Sequence, residues 1–173
     1  MKKLAVILAG GRSLRFGSNK ARARWQGLTL LERVSLSLNE AGFQVLVADR
    51  HSDLYPWQGP LQALFSIGHC YHPEKILLTA CDMPLLRPEL LTLLWEKSLG
   101  LDVTVLRTET RLYPLPGVYS RRAMEEAGRL FQKGRRDLKS LMQTALTLRE
   151  IKWEDGRSLT NINTQQDLRE ASL

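Results

Sequence analysis

A chain of 173 residues, 43% apolar and 25% charged, can bury a substantial core without metal or disulfide staples and is expected to form one domain over residues 1–173. No stretch is long and apolar enough to read as a membrane span, which argues against a membrane partner. The formal charge of +7 points to anionic partners, yet the tightest basic group, Arg12, Arg15, Lys20, Arg22 and Arg24, surrounds a glycine-rich loop and so favours a polyphosphate over nucleic acid.

In chain order, Lys3–Leu8 reads as a buried strand, short, apolar and stopped by glycine. Lys2 and Lys3 before Leu4–Ala9 resemble the start of an export signal, but the six apolar residues break at Gly10-Gly11-Arg12, so the protein is expected in the cytoplasm. After a loop from Ala9 to about Gly27, Leu31, Val34 and Leu38 repeat at helical spacing, and Gly42 closes that helix. Gln44–Ala48 is a second strand and Asp49–Gln58 a loop. Gly59-Pro60 opens a helix that ends before Pro73. Lys75–Ala80 is a third strand followed by Asp82, and Pro88 starts a helix running to about Lys97. Asp102–Arg107 is a fourth strand. Leu112–Tyr119 reads as extended, with Pro114 and Pro116 confining it to an edge or a bulge. Helices over Arg121–Lys133 and Leu138–Ala145, a strand at Leu148–Trp153 and a capping box from Thr164 to Asp167 complete the chain.

Strands alternating with helices predict an α/β fold of three layers, α/β/α, around a mostly parallel sheet. Ligands of such sheets sit beyond the carboxyl ends of the strands. The first strand ends at the glycine loop and the third at Asp82, so two chemically loaded segments share one edge.

In the first motif, Leu8-Ala9-Gly10-Gly11-Arg12-Ser13-Leu14-Arg15-Phe16-Gly17-Ser18-Asn19-Lys20, the glycines let backbone N–H groups approach anionic oxygens. Arg12, Arg15 and Lys20 can neutralise a triphosphate as its bonds rearrange. The order of a Walker loop is absent. In Thr79-Ala80-Cys81-Asp82-Met83-Pro84, a carboxylate just past a buried strand suits a magnesium ion shared with substrate phosphates better than a turn role. Asn161 and Asn163 in Thr160-Asn161-Ile162-Asn163-Thr164 read equally as substrate ligands and as turn residues. Cys70 and Cys81 have no metal spacing and read as core or near-core thiols. His69 and His72 sit at a helix end, where a cation suits the dipole better than a metal site suits the spacing.

Together these motifs resemble the MobA-like nucleotidyltransferases, the molybdenum cofactor guanylyltransferases. The family pattern L-A-G-G-x-S-x-R-[MF]-G-x-[DN]-K matches Leu8–Lys20, its G-P-L helix start matches Gly59-Pro60-Leu61, its C-D-x-P matches Cys81–Pro84 and its N-[IV]-N-T matches Asn161–Thr164. The resemblance spans nearly the whole chain. It implies a Rossmann-like nucleotidyltransferase that moves GMP from GTP to the terminal phosphate of molybdopterin and releases pyrophosphate. By that likeness Leu8, Ala9, Gly10, Gly11 and Arg12 hold the nucleotide, Lys20 binds its phosphates with Arg15 beside it, and Asp82 binds Mg2+. Asn161 and Asn163 lie on the pterin side or near the metal. GTP and molybdopterin are then the small-molecule substrates, with room for transient contact with other proteins of molybdenum cofactor biosynthesis. Gly11 leans toward guanine, since relatives using other bases often carry alanine near there.

Two segments depart from the pattern. Between the second strand and Gly59 only Asp49–Gln58 stands where the family has a longer stretch with a short strand and an acidic residue, and Glu109–Gly117 matches poorly. A transferase using CTP or a sugar phosphate, and a nucleotide-binding module without turnover, therefore remain open alternatives.

Overall fold

The computed structural model describes residues 3–10, 20–49 and 58–171, and the side chains of Lys20 and Gln165 lie outside that description. Its strands are β1 (Lys3–Leu8), β2 (Arg24–Trp25), β3 (Leu28–Thr29), β4 (Phe43–Ala48), β5 (Lys75–Ala80), β6 (Val103–Arg107), β7 (Leu112–Ser120) and β8 (Leu148–Lys152). The α-helices are α1 (Leu30–Glu40), α2 (Pro60–Tyr71), α3 (Pro88–Lys97), α4 (Arg121–Gln132) and α5 (Gln165–Glu170), with 3₁₀ turns at Lys20–Arg22, Leu138–Gln143 and Gly156–Leu159.

Six strands form one sheet in the order β4–β1–β5–β7–β6–β8. Every neighbouring pair is parallel except those made by β7, which runs antiparallel to β5 and β6. The continuous apolar run of β1 follows from burial on both faces. Ala5 and Ile7 enter a core with Val34 and Leu38 of α1 and Leu90 and Leu94 of α3. Val6 and Leu8 enter the opposite core with Leu61, Leu64 and Ile67 of α2 and Met124 of α4. The result is the three-layer arrangement anticipated from the alternation. Among the described residues no helix is long and apolar enough to cross a membrane.

Three local expectations need correction. The first is that β7 is not an edge strand: it is hydrogen-bonded on both sides. The bulge half of that expectation holds, because the β6 register jumps from Val105↔Gly117 to Leu106↔Tyr113 and leaves residues 114–116 out of the ladder. Both prolines, which lack an N–H, thus sit where no ladder bond is required. Tyr119, fully buried, donates its hydroxyl to the Pro114 carbonyl at 2.6 Å and pins the bulge. Burial pushes that phenol far above its ordinary range, so it stays a neutral donor. The second correction is Cys70, which is exposed because it lies in the last turn of α2, past the buried stretch that ends at Ile67; Cys81 is buried as expected. The third is the segment after α4, where the helix is a six-residue 3₁₀ turn, Leu138–Gln143. Asp137 caps its first turn by accepting from the Ser140 N–H at 3.0 Å.

Candidate active site

The carboxyl ends of β1, β4 and β5 are stitched together at the start of the glycine motif. The Ala9 N–H donates to the Ala48 carbonyl at 2.9 Å, and the Cys81 N–H donates to the Leu8 carbonyl at 3.1 Å. Leu8, Ala9 and Gly10 therefore stand directly beside the Cys81–Asp82 turn. Gly11, Arg12 and Arg15 lie outside the described residues, as does the Lys20 side chain. The Lys20 backbone is placed: it opens the 3₁₀ turn whose Ala21 is buried in the α1/α3 core.

A two-residue hairpin anchors the chain just after that turn. Gln26 and Gly27 both have positive φ, 48° and 85°, as the tight turn joining β2 to β3 requires. Arg33 of α1 lies over the Trp25 ring at 4.4 Å and donates to the Trp25 and Gln26 carbonyls, each at 3.0 Å. Thr29 and Glu32 form a capping box that starts α1.

The asparagine segment reaches the same place. The Ile162 N–H donates to the Asp82 carbonyl at 2.8 Å. The Ile162 side chain is buried with Trp25, Leu30 and Leu168, and Leu85 packs on that small core. Asn161 and Asn163, on either side of Ile162, are exposed. Thr164 and Asp167 make the anticipated capping box, and Asp167 Oδ2 also accepts from the Asn163 N–H at 2.6 Å. The turn reading and the site reading of this segment are thus compatible: the cap starts α5 while the backbone bond holds both asparagines beside Asp82. A cavity of about 180 Å³ opens at this point between Leu85, Arg157, Asn161 and Glu170, smaller than a nucleotide pocket. Removing the anchor tests the arrangement. Ile162→Ala is expected to cost about 2–4 kcal/mol in urea unfolding and to slow turnover; a stability loss with unchanged turnover would release the asparagines from any role.

The Asp82 side chain is half-buried with its Oδ1 withdrawn from solvent. A carboxylate oxygen is a hard donor, which suits a hard divalent cation. Among the described residues no group of three or more His, Cys, Asp or Glu side chains is placed to hold a metal ion.

One group escaped sequence reasoning. Helix α4 runs antiparallel to α2, so the Lys133-Gly134-Arg135-Arg136 run after it returns to the α2 N-terminus at the ligand edge. Gly59, with φ of 107°, caps α2 there, and an added Cβ would lie 3.1 Å from the Arg136 carbonyl. The run is visible in sequence, but its placement depends on the α2–α4 packing.

The start of the glycine motif, an acidic turn and a paired-asparagine segment thus meet at one sheet edge, and residues 5–150 match the MobA-like NTP transferase domain. The chain belongs to that family. A Pelotomaculum thermopropionicum protein called probable molybdenum cofactor guanylyltransferase is 32% identical over 195 residues, covering 100% of this chain and 93% of its own. Among solved structures, the molybdopterin-guanine dinucleotide biosynthesis protein A of Archaeoglobus fulgidus superposes with a TM-score of 0.81 at 25% identity, covering 99% of this chain and 96% of its own. Mycobacterium tuberculosis Rv0371c, solved in complex with manganese, shares the fold at a TM-score of 0.70 and 18% identity, covering 99% and 98%.

Proposed function

We propose that the protein transfers GMP from GTP to the terminal phosphate of molybdopterin, forming molybdopterin guanine dinucleotide and pyrophosphate in the cytoplasm. The observation that carries this reading is the tie of the asparagine segment to the Asp82 turn, itself bonded to the start of the glycine motif.

In the reaction an oxygen of the acceptor phosphate attacks the α-phosphorus of GTP. The bond to the oxygen bridging toward the β-phosphorus breaks, and pyrophosphate leaves with the electron pair. The acceptor monoester has a second pKa of about 6 and is largely ionised at neutral pH, so no general base is required. The barrier is repulsion between two anions. Leu8, Ala9, Gly10 and Gly11 would hold the nucleotide, the glycines letting the backbone approach it closely, and Arg12, Arg15 and Lys20 would oppose its phosphate charge. Asp82 would hold Mg2+, with Asn161 and Asn163 beside it toward the acceptor. When bound, the ion supplies Lewis-acid stabilisation of the charge that develops on the α-phosphate and leaving pyrophosphate. The manganese in the Rv0371c complex supports a divalent ion in this fold. GTP with magnesium and molybdopterin is expected to release pyrophosphate where CTP does not. A clear CTP preference would overturn the guanine assignment.

A further inference from the structure

We propose that Arg111 and Tyr113, at the start of β7, bind the phosphate of the acceptor. The inference rests on the transfer reaction above and adds the acceptor side of the same site.

The strand order carries the argument. β5, which delivers Asp82, lies between β1 and β7. The glycine motif leaves the carboxyl end of β1, so the nucleotide phosphates belong to the β1 flank of Asp82. An in-line displacement places nucleophile and leaving group on opposite sides of the α-phosphorus. The acceptor phosphate then approaches from the β7 flank. Because β7 is antiparallel, its first residues, and not its last, reach that edge.

The local geometry fits an anion there. Residues 108–111 form the β6–β7 turn, closed by the Thr108 N–H donating to the Arg111 carbonyl at 2.9 Å. Arg111 immediately precedes β7 and Tyr113 is the second residue of that strand. Tyr113 is half-buried against the core that contains Cys81, Met83 and Leu159, the core that supports the Asp82 turn. The exposed Arg111 guanidinium lies over the Tyr113 ring, 4.9 Å from its centre. Neighbouring arginines are neutralised: Arg107 by Glu150 and Arg87 by Asp155. Among the described residues Arg111 has no carboxylate partner. An arginine fixed by an aromatic face, with its N–H edge available, is suited to bidentate phosphate binding.

Steady-state kinetics of Arg111→Ala and Arg111→Lys, with GTP and molybdopterin varied separately, tests this. Arg111→Ala is expected to raise the molybdopterin KM about 10- to 100-fold while the GTP KM stays within about twofold. Arg111→Lys should recover only part of the loss, since an ammonium cannot bond in two-pronged fashion. Tyr113→Leu, which keeps apolar packing but removes the ring face, should shift the same KM in the same direction. An unchanged molybdopterin KM in Arg111→Ala would overturn the proposal and leave the reaction standing. Equal rises in both KM values with a lowered melting temperature would also overturn it, by showing a structural role. Wild-type protein that makes no dinucleotide from GTP and molybdopterin would overturn the reaction reading itself and this proposal with it.

Discussion

Asp82→Ala is expected to lower kcat for GMP transfer by about 10³-fold or more while leaving the fold intact. The separation is possible because the bond that fastens the asparagine segment to this turn uses the Asp82 carbonyl, not its carboxylate. Met83 and Leu86, which seat the turn in the α1/α3 core, are untouched. The variant should therefore melt close to wild type. Its GTP affinity measured without metal should hardly change, while the gain in affinity that magnesium gives the wild type should disappear. Asp82→Asn keeps the shape and loses the charge, so it should fail nearly as badly. Near-normal turnover by both variants would move the metal away from this turn.

A large loss of stability with little loss of turnover is expected at the opposite end of the sheet. Asp102, buried at the start of β6, accepts from the Thr147 N–H and hydroxyl, both at 2.9 Å, from the Ser120 hydroxyl at 3.0 Å and from Arg122 at 3.2 Å. Ser120 also accepts from the Ala123 N–H at the start of α4, so one carboxylate joins β6, α4 and the approach to β8. Burial opposes its ionisation, but the hydrogen bonds from Thr147 and Ser120 and the charge of Arg122 outweigh it and hold the carboxyl below the usual range. A depressed carboxylate stabilises the fold above its unfolded pKa of about 3.9, and that contribution is lost as pH falls through the lower folded value. Asp102→Ala is expected to cost about 2–4 kcal/mol near neutral pH, because it removes the one buried acceptor on which the Thr147, Ser120 and Arg122 donors converge. It should also flatten the acid limb of the stability curve below about pH 4. Urea titrations of both proteins across that range measure the difference. Turnover at a permissive temperature should stay near wild type, since Asp102 is remote from the ligand edge; a small stability change would show that Thr147 and Ser120 find other partners.

Much of the architecture is legible from pattern and punctuation. Pro88 and Lys97 bound α3 as expected, and Lys75–Ala80 is β5 to the residue. The position of Asp82 at the ligand edge follows from that strand alone. β7 misleads because the rule against proline in interior strands is a rule about ladder hydrogen bonds, and the bulge at 114–116 removes the bonds in question. The Arg111–Tyr113 pair is hidden for a related reason, since which residues of Glu109–Gly117 face the site depends on a register set by β6. The asparagine segment is ambiguous in sequence because Thr164–Asp167 is a genuine cap, and only the long-range bond from Ile162 ties the segment to the Asp82 turn. Gly11, Arg12 and Arg15 carry much of the family likeness but lie outside the described residues, so their roles rest on the matching motif.

The most direct measurement is a single incubation of the wild-type protein with GTP, magnesium and molybdopterin, following pyrophosphate and identifying the pterin product by mass. The expected result is one pyrophosphate per molybdopterin guanine dinucleotide formed, with little product when CTP replaces GTP. Tight GTP binding without pyrophosphate, or pyrophosphate release only with a sugar phosphate as acceptor, would contradict it.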